Sequence, residues 1–208
     1  MKTVADGETA YMQREYVKAH GIWSDLVERR SDPEAAAWLG ALYAHGLGVE
    51  KSAEKAFGLY RIAAEQGNVL AANNIAVMYS KGEGVKQNPE MACHWFRQAA
   101  EKGDLFAQHN YAVLLTGGLG TEADLTAALK WFRKAAEAGH YPSQARLGNC
   151  YAQGLGTPVD RLEAFRWLSS ASRHGVASAV TDLQTLLSEM NDEERERAIN
   201  SQKLPLMA

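Results

Sequence analysis

Cysteine is almost missing from this chain. There are two in 208 residues, Cys93 and Cys150, far apart and in no metal-type spacing. That excludes a disulfide scaffold and a cysteine-based zinc site, and both thiols read as small buried hydrophobes. No uninterrupted apolar run approaches the ~18 residues a membrane-spanning helix needs. The opening stretch, MKTVADGETAYMQREY, lacks the apolar core of a secretory signal, so the expected location is cytoplasmic. Neither charge dominates: the formal net charge is −3, which argues against a broad nucleic-acid-binding surface. The six histidines (His20, His45, His94, His109, His140, His174) form no metal-type pair on one helical turn. No nucleophile–histidine–carboxylate arrangement is legible along the sequence. The expectation is therefore no catalytic residue, no metal and no cofactor.

What the chain does have is a period. Gly67, Gly103, Gly139 and Gly175 recur every 36 residues, as do Gly46, Gly82, Gly118 and Gly154, and Gly48, Gly84, Gly120 and Gly156. A fixed period of this length marks a repeat array. The stretch from Gly67 to Lys102 reads as two helices. Ala71, Ile75, Met78 and Tyr79 give the first an apolar face, and the Gly82-Glu83-Gly84 turn ends it. Asn88-Pro89 caps and opens the second, which carries Ala92, Trp95, Phe96, Ala99 and Ala100 to Gly103. Ser52, Asn88, Asp124 and Asp160 share the capping column. The Gly-x-Gly turns lack the Lys-Ser/Thr of a phosphate loop and join helix to helix, so they read as structural.

Aligned columns indicate packing. Ala56, Ala92, Ala128 and Ala164 form one; Trp23, Leu59, Trp95, Trp131 and Trp167 form a large apolar one; Tyr43, Tyr79, Leu115, Tyr151 and Leu187 form a third. A helix pair with apolar columns on both sides needs neighbours, which predicts a solenoid with a continuous core. Arg61–Glu65, Arg97–Glu101 and Arg133–Glu137 read as i,i+4 ion pairs on the second helices.

The recurring pattern reads AAAWLGALYAHGLGV from Ala35, AANNIAVMYSKGEGV from Ala71, AQHNYAVLLTGGLGT from Ala107 and SQARLGNCYAQGLGT from Ser143, each followed by a cap and an A-x-x-W-x-x-x-A-A-type second helix. It resembles the Sel1-like repeat family, a branch of the tetratricopeptide-like helical repeats, over roughly residues 31–190. The resemblance implies an all-α, right-handed α-solenoid of antiparallel helix pairs. One domain over 1–208 is expected: an N-terminal half unit at 8–30; repeats at 31–66, 67–102, 103–138 and 139–174; and C-terminal capping helices at 175–203, with the last residues, LPLMA, fraying. The chain lacks the cysteine pairs carried by some secreted members, which favours a reducing compartment.

By the same resemblance the first helix of each repeat lines a concave groove. Once the packing columns of Ala35, Leu39 and Tyr43 are set aside, the free ridge falls at the columns of residues 34, 37, 38, 41 and 45. It offers Trp38 and His45; Asn73, Asn74 and Lys81; Phe106, His109 and Asn110; and Arg146, Asn149 and Gln153. Trp38 is the one tryptophan outside the shared column, and exposed aromatics in grooves are frequent hot spots. The resemblance thus implies a non-catalytic module that binds a protein or peptide partner, as a monomeric adaptor, regulator or inhibitor in a bacterial setting. Alternatives are an immunity-type inhibitor of a toxic enzyme and a binder or hydrolase of penicillin-like compounds.

Overall fold

The computed structural model describes residues 2–201. The fraying expected at LPLMA and the last two residues of the expected capping segment lie outside the described residues. Among these there are twelve helices and no strand: α1 (Val4–Met12), α2 (Tyr16–Arg30), α3 (Pro33–His45), α4 (Ala53–Glu65), α5 (Val69–Lys81), α6 (Pro89–Glu101), α7 (Leu105–Gly117), α8 (Leu125–Glu137), α9 (Tyr141–Gln153), α10 (Arg161–Arg173), α11 (Ala177–Glu189) and α12 (Asp192–Ser201). This is an all-helical solenoid-class architecture.

The capping column works as its chemistry predicts. The side chains of Ser52, Asn88, Asp124 and Asp160 each accept a backbone N–H in the first turn of the helix that follows. Each such cap is worth about 1 kcal/mol. Asp32 does the same for α3, with Pro33 at the first helical position. Asn191 and Glu194 close a reciprocal capping box at the start of α12.

The paired glycines solve two problems at once. Gly82 closes α5 with a left-handed φ of +74°, two residues before Gly84 at φ +69°. A β-carbon on Gly84 would lie 2.3 Å from the carbonyl oxygen of Ala53, at the start of the preceding second helix. The turn therefore needs both the left-handed conformation and the missing side chain.

The chain divides into two compact units, 1–107 and 108–208, with the division inside α7. In the first unit α1 packs on α2, α2 on α3, α3 on α4, α4 on α5 and α5 on α6. Part of its core gathers Ala10, Ala19, Ile22, Trp23, Leu26, Ala35, Leu39 and Leu42. In the second unit α8 packs on α9, α9 on α10, and α10 on α11 and α12, around Leu115, Phe132, Leu147, Phe165, Leu168 and Leu186.

The tryptophan column is not the deepest one. Trp23 is fully buried, but Leu59, Trp95, Trp131 and Trp167 are half-buried. The adjacent column is the true core: Tyr60, Phe96, Phe132 and Leu168 are 5%, 3%, 2% and 0% exposed. Small residues on the facing first helix make room for it. A β-carbon on Gly40 would touch the Tyr60 ring at 3.0 Å, and one on Gly148 would meet Leu168 at 2.7 Å. The half-buried tryptophans instead cover the helix surface and meet charged stems, with Lys134 Nζ 5.0 Å above Trp131 and Trp167 Nε1 donating to Glu163 at 3.1 Å.

Of the three ion pairs expected on the second helices, Arg61–Glu65 forms at 3.8 Å. Among the described residues Arg97–Glu101 and Arg133–Glu137 do not. Arg133 instead donates to the Tyr151 hydroxyl and lies 5.9 Å from the centre of that ring. A hydroxyl on the neighbouring first helix competes successfully with an exposed carboxylate, whose pairing is worth only a few tenths of a kcal/mol. Cys93 and Cys150 are buried thiols that form no disulfide among the described residues, and burial pushes the Cys150 thiol up from its ordinary value.

Candidate functional site

In the first unit, the first helices α3 and α5 border a cleft of about 310 Å³. Its lining combines Trp38, Ala37, Ala41 and Tyr60 with Val69, Leu70, Asn68 and Asn74, and with two carboxylates, Glu8 and Glu34. Leu70 stands 58% exposed at its edge. Phe106, one repeat further along the same column, is 62% exposed. Burial raises the Tyr60 hydroxyl to about 12, so the ring is a neutral wall at any physiological pH.

Trp38 is more committed than its place on the free ridge implies. Its ring stacks on Trp23 at 5.3 Å and an interplanar angle of 10°. Tyr11 lies tilted against it at 5.4 Å, and its Nε1 donates to Glu8 Oε1 at 3.0 Å. It is half-buried, one side held by the N-terminal helices and the remainder in the cleft. The ridge is also narrower than expected. Its second column is closed, with Ala37, Asn73 and Ala145 at 7%, 9% and 4% exposure. Asn73 Oδ1 is buried without a hydrogen-bond partner among the described residues. Asn74 is half-buried; His45 and Lys81 are exposed, with Lys81 3.8 Å from Glu83.

The second unit holds the other expected residues. Arg146 and Gln153 are exposed and Asn110 is half-buried. Asn149 is occupied: its Nδ2 donates to Asp182 on α11 at 2.8 Å. His109 is turned inward. Its Nδ1 lies 2.9 Å from Ser143 Oγ, and His140 Nδ1 lies 2.8 Å from the same oxygen, with the two imidazole centres 5.0 Å apart. Burial is the main cause that lowers His109 to about 4, with His140 and Arg146 adding to it. This histidine pair is not legible along the chain, because His140 sits at a helix start and the contact falls off the 36-residue register. Ser143 is fully buried, so the trio forms a packed polar joint rather than an open nucleophile. Among the described residues no group of three or more His, Cys, Asp or Glu side chains gathers as a metal site, and no helix is long and apolar enough to cross a membrane.

Sequence reasoning missed Glu8, Leu70 and Tyr60 as cleft residues. Leu70 was findable, since it stands in the same ridge column as Phe106, which the ridge reading includes.

These features define a helical-repeat protein. Sel1 repeat models match residues 33–68, 69–104, 105–140 and 142–176, and the chain belongs to the Sel1 repeat family. Among solved structures, a Sel1 repeat protein from Oxalobacter formigenes is 34% identical, with a TM-score of 0.79 over 87% of this chain and 74% of that one. The protective antigen c5321 of uropathogenic Escherichia coli, which displays the same repeat fold, is 26% identical with a TM-score of 0.58, over 93% of this chain and 52% of its own. A Sel1 repeat protein from Klebsiella pneumoniae shares the fold at 18% identity and a TM-score of 0.53. No curated protein matches the chain. Proteins of this family are generally protein-interaction modules.

Proposed function

We propose that this chain is a non-catalytic interaction module that receives a partner protein or peptide on the first-helix face of its N-terminal unit. The observation that carries this reading is the cleft beside Trp38, continued by the exposed Leu70 and Phe106. Large apolar side chains left in water along one ridge are costly unless a partner covers them, and aromatic residues at such places carry much of the affinity of protein interfaces. In the most nucleophile-like grouping, Ser143 with two imidazoles, the serine itself is fully buried, which supports a binding role over catalysis.

The test compares full-length wild type with Leu70→Asp and Phe106→Asp as baits in extracts of the source cell, each first shown to keep wild-type circular dichroism and melting. A stoichiometric partner held by wild type and reduced at least tenfold with either variant is the expected result. A partner retained equally by both, but released by Lys130→Glu on α8, would place the surface on the second helices and overturn the reading.

A further inference from the structure

We propose that the cleft of the N-terminal unit is a receptor for an arginine side chain presented by the partner protein; this rests on the interaction-module reading above. Its walls are apolar, but its only formally charged lining groups are the two carboxylates Glu8 and Glu34. Among the described residues neither carboxylate has a cationic partner. Glu8 is held in place from across the fold, since it sits on α1 and accepts the Trp38 indole N–H of α3 at 3.0 Å. A carboxylate oriented by one donor keeps lone pairs for a second, and a guanidinium is the donor whose planar fork matches it.

The competing electrostatic term is the positive end of α3 and of α5, both of which begin near the cleft. Each contributes roughly half a charge, confined to the first turn. The α3 end is already answered by Asp32, whose Oδ1 accepts from the backbone N–H of Glu34 and Ala35 at 3.0 and 2.9 Å. Asn68 Oδ1 takes the Ala71 N–H of α5 at 2.9 Å. Two full negative charges outweigh what remains, so an anionic ligand is disfavoured.

The apolar lining selects among cations. A small hydrated ion gains nothing from Trp38, Leu70 and Ala41, whereas an arginine stem lies along such surface while its head reaches polar groups at the rim. The guanidinium is also more weakly hydrated than an ammonium and stacks on aromatic rings, which favours arginine over lysine. Asn74 adds a carboxamide that can accept from either the guanidinium or the partner's backbone. The occupant is thus an extended or helical partner segment with one arginine inserted beside Trp38 and apolar residues resting on Leu70 and Phe106.

The probe is N-acetyl-arginine amide, titrated into the full-length, ¹⁵N-labelled chain and followed by amide and indole N–H correlation spectra. N-acetyl-citrulline amide serves as the uncharged isostere and N-acetyl-lysine amide as the compact cation. Expected are saturable shifts at the Trp38 indole and at Leu70 and Asn74, with a Kd of about 1 mM for so small a ligand. Citrulline amide should bind at least tenfold more weakly and lysine amide in between. Glu34→Gln, an exposed change that leaves the spectrum otherwise intact, should weaken the arginine amide about fivefold or more. Equal binding of citrulline amide, indifference to Glu34→Gln, or shifts confined to other faces would each overturn the inference. The two readings fail separately. If the captured partner requires Leu70 and Phe106 but not Glu34, the interaction face stands and the arginine receptor falls. Saturable, Glu34-dependent binding of the amide supports the receptor even where the captured partner ignores Leu70.

Discussion

The two units fill the same columns with different chemistry. Where the N-terminal unit has Ala37 and Trp38, the C-terminal unit has His109 and Asn110, then Ala145 and Arg146. The first unit uses its ridge for an aromatic stack: Trp23, Trp38 and Tyr11 meet within 5.3 to 6.1 Å, and a cleft with two carboxylates opens beside them. The second draws its ridge histidine inside and bonds it to a buried hydroxyl. A repeat scaffold thus holds its glycine, alanine and capping columns constant for packing, while the ridge columns vary between sealing a joint and opening a cleft.

The largest expected effect tests whether the tryptophan column is equivalent in the two units. Trp23→Ala removes a fully buried indole that also donates to the Val4 carbonyl at 3.3 Å, and should cost about 3–5 kcal/mol. Trp131→Ala removes a half-buried indole and should cost about 1–2 kcal/mol. Denaturant titration of both variants checks this. Equal costs would mean that the column is one continuous core after all.

A second test separates steric from conformational demands on glycine. Gly84→Ala meets the Ala53 carbonyl and a positive φ together, so a loss of about 3 kcal/mol is expected. Gly103→Ala has a φ of +96° but open space around the added methyl, and should lose only about 1 kcal/mol. Melting temperatures of the two variants suffice, and similar losses would show that backbone strain alone governs both turns.

The histidines give the comparison a pH axis. His109 is held neutral in the folded chain at a value near 4, against an ordinary 6.5. The unfolded chain therefore takes up the proton first as pH falls. The stability this ring contributes is complete above pH 6.5 and is lost as pH drops toward 4, by up to about 3 kcal/mol. In the N-terminal unit His20, bonded to the Tyr43 hydroxyl at 3.1 Å, is lowered chiefly by burial and then by Lys55. Its contribution has the same sign and should be smaller. Stability measured at pH 7.5, 5.5 and 4.5 should fall less steeply in His109→Asn than in wild type, with His20→Asn between them. A wild-type slope unchanged in His109→Asn would remove His109 from the account.

Much of the architecture was legible because the repeat offers each cap and turn four times. Ser52, Asn88, Asp124 and Asp160 announce helix starts together, and the Gly82–Gly84 turn has the same reading at each recurrence. The ridge was less legible, since one sequence position cannot reveal a contact made out of register. Trp38 looked free because no other repeat carries an aromatic there, yet its partners Trp23, Tyr11 and Glu8 belong to helices before the first full repeat. Asn149 looked free on the ridge, yet Asp182 on α11 claims it. Arg133 looked paired with Glu137, yet the Tyr151 hydroxyl lies across the helix interface. Each departure is a tertiary partner supplied by a neighbouring helix pair.

The smallest effect concerns the closed second column of the ridge. Asn73 occupies a place where Ala37 and Ala145 are equally buried, and its Oδ1 is buried without a hydrogen-bond partner among the described residues. A buried acceptor without a partner costs free energy that no neighbour returns, and asparagine is a poorer helix former than alanine. Asn73→Ala should therefore stabilise the chain by about 1 kcal/mol, a rise of a few degrees in melting temperature. The lost volume opposes this, but the space left by a short amide is small beside that of a leucine-to-alanine change. Stabilisation by Asn73→Ala with unaltered partner capture would mark Asn73 as a tolerated packing defect. Stabilisation with capture weakened tenfold would instead show that its free oxygen is kept for the partner, at a cost to the fold.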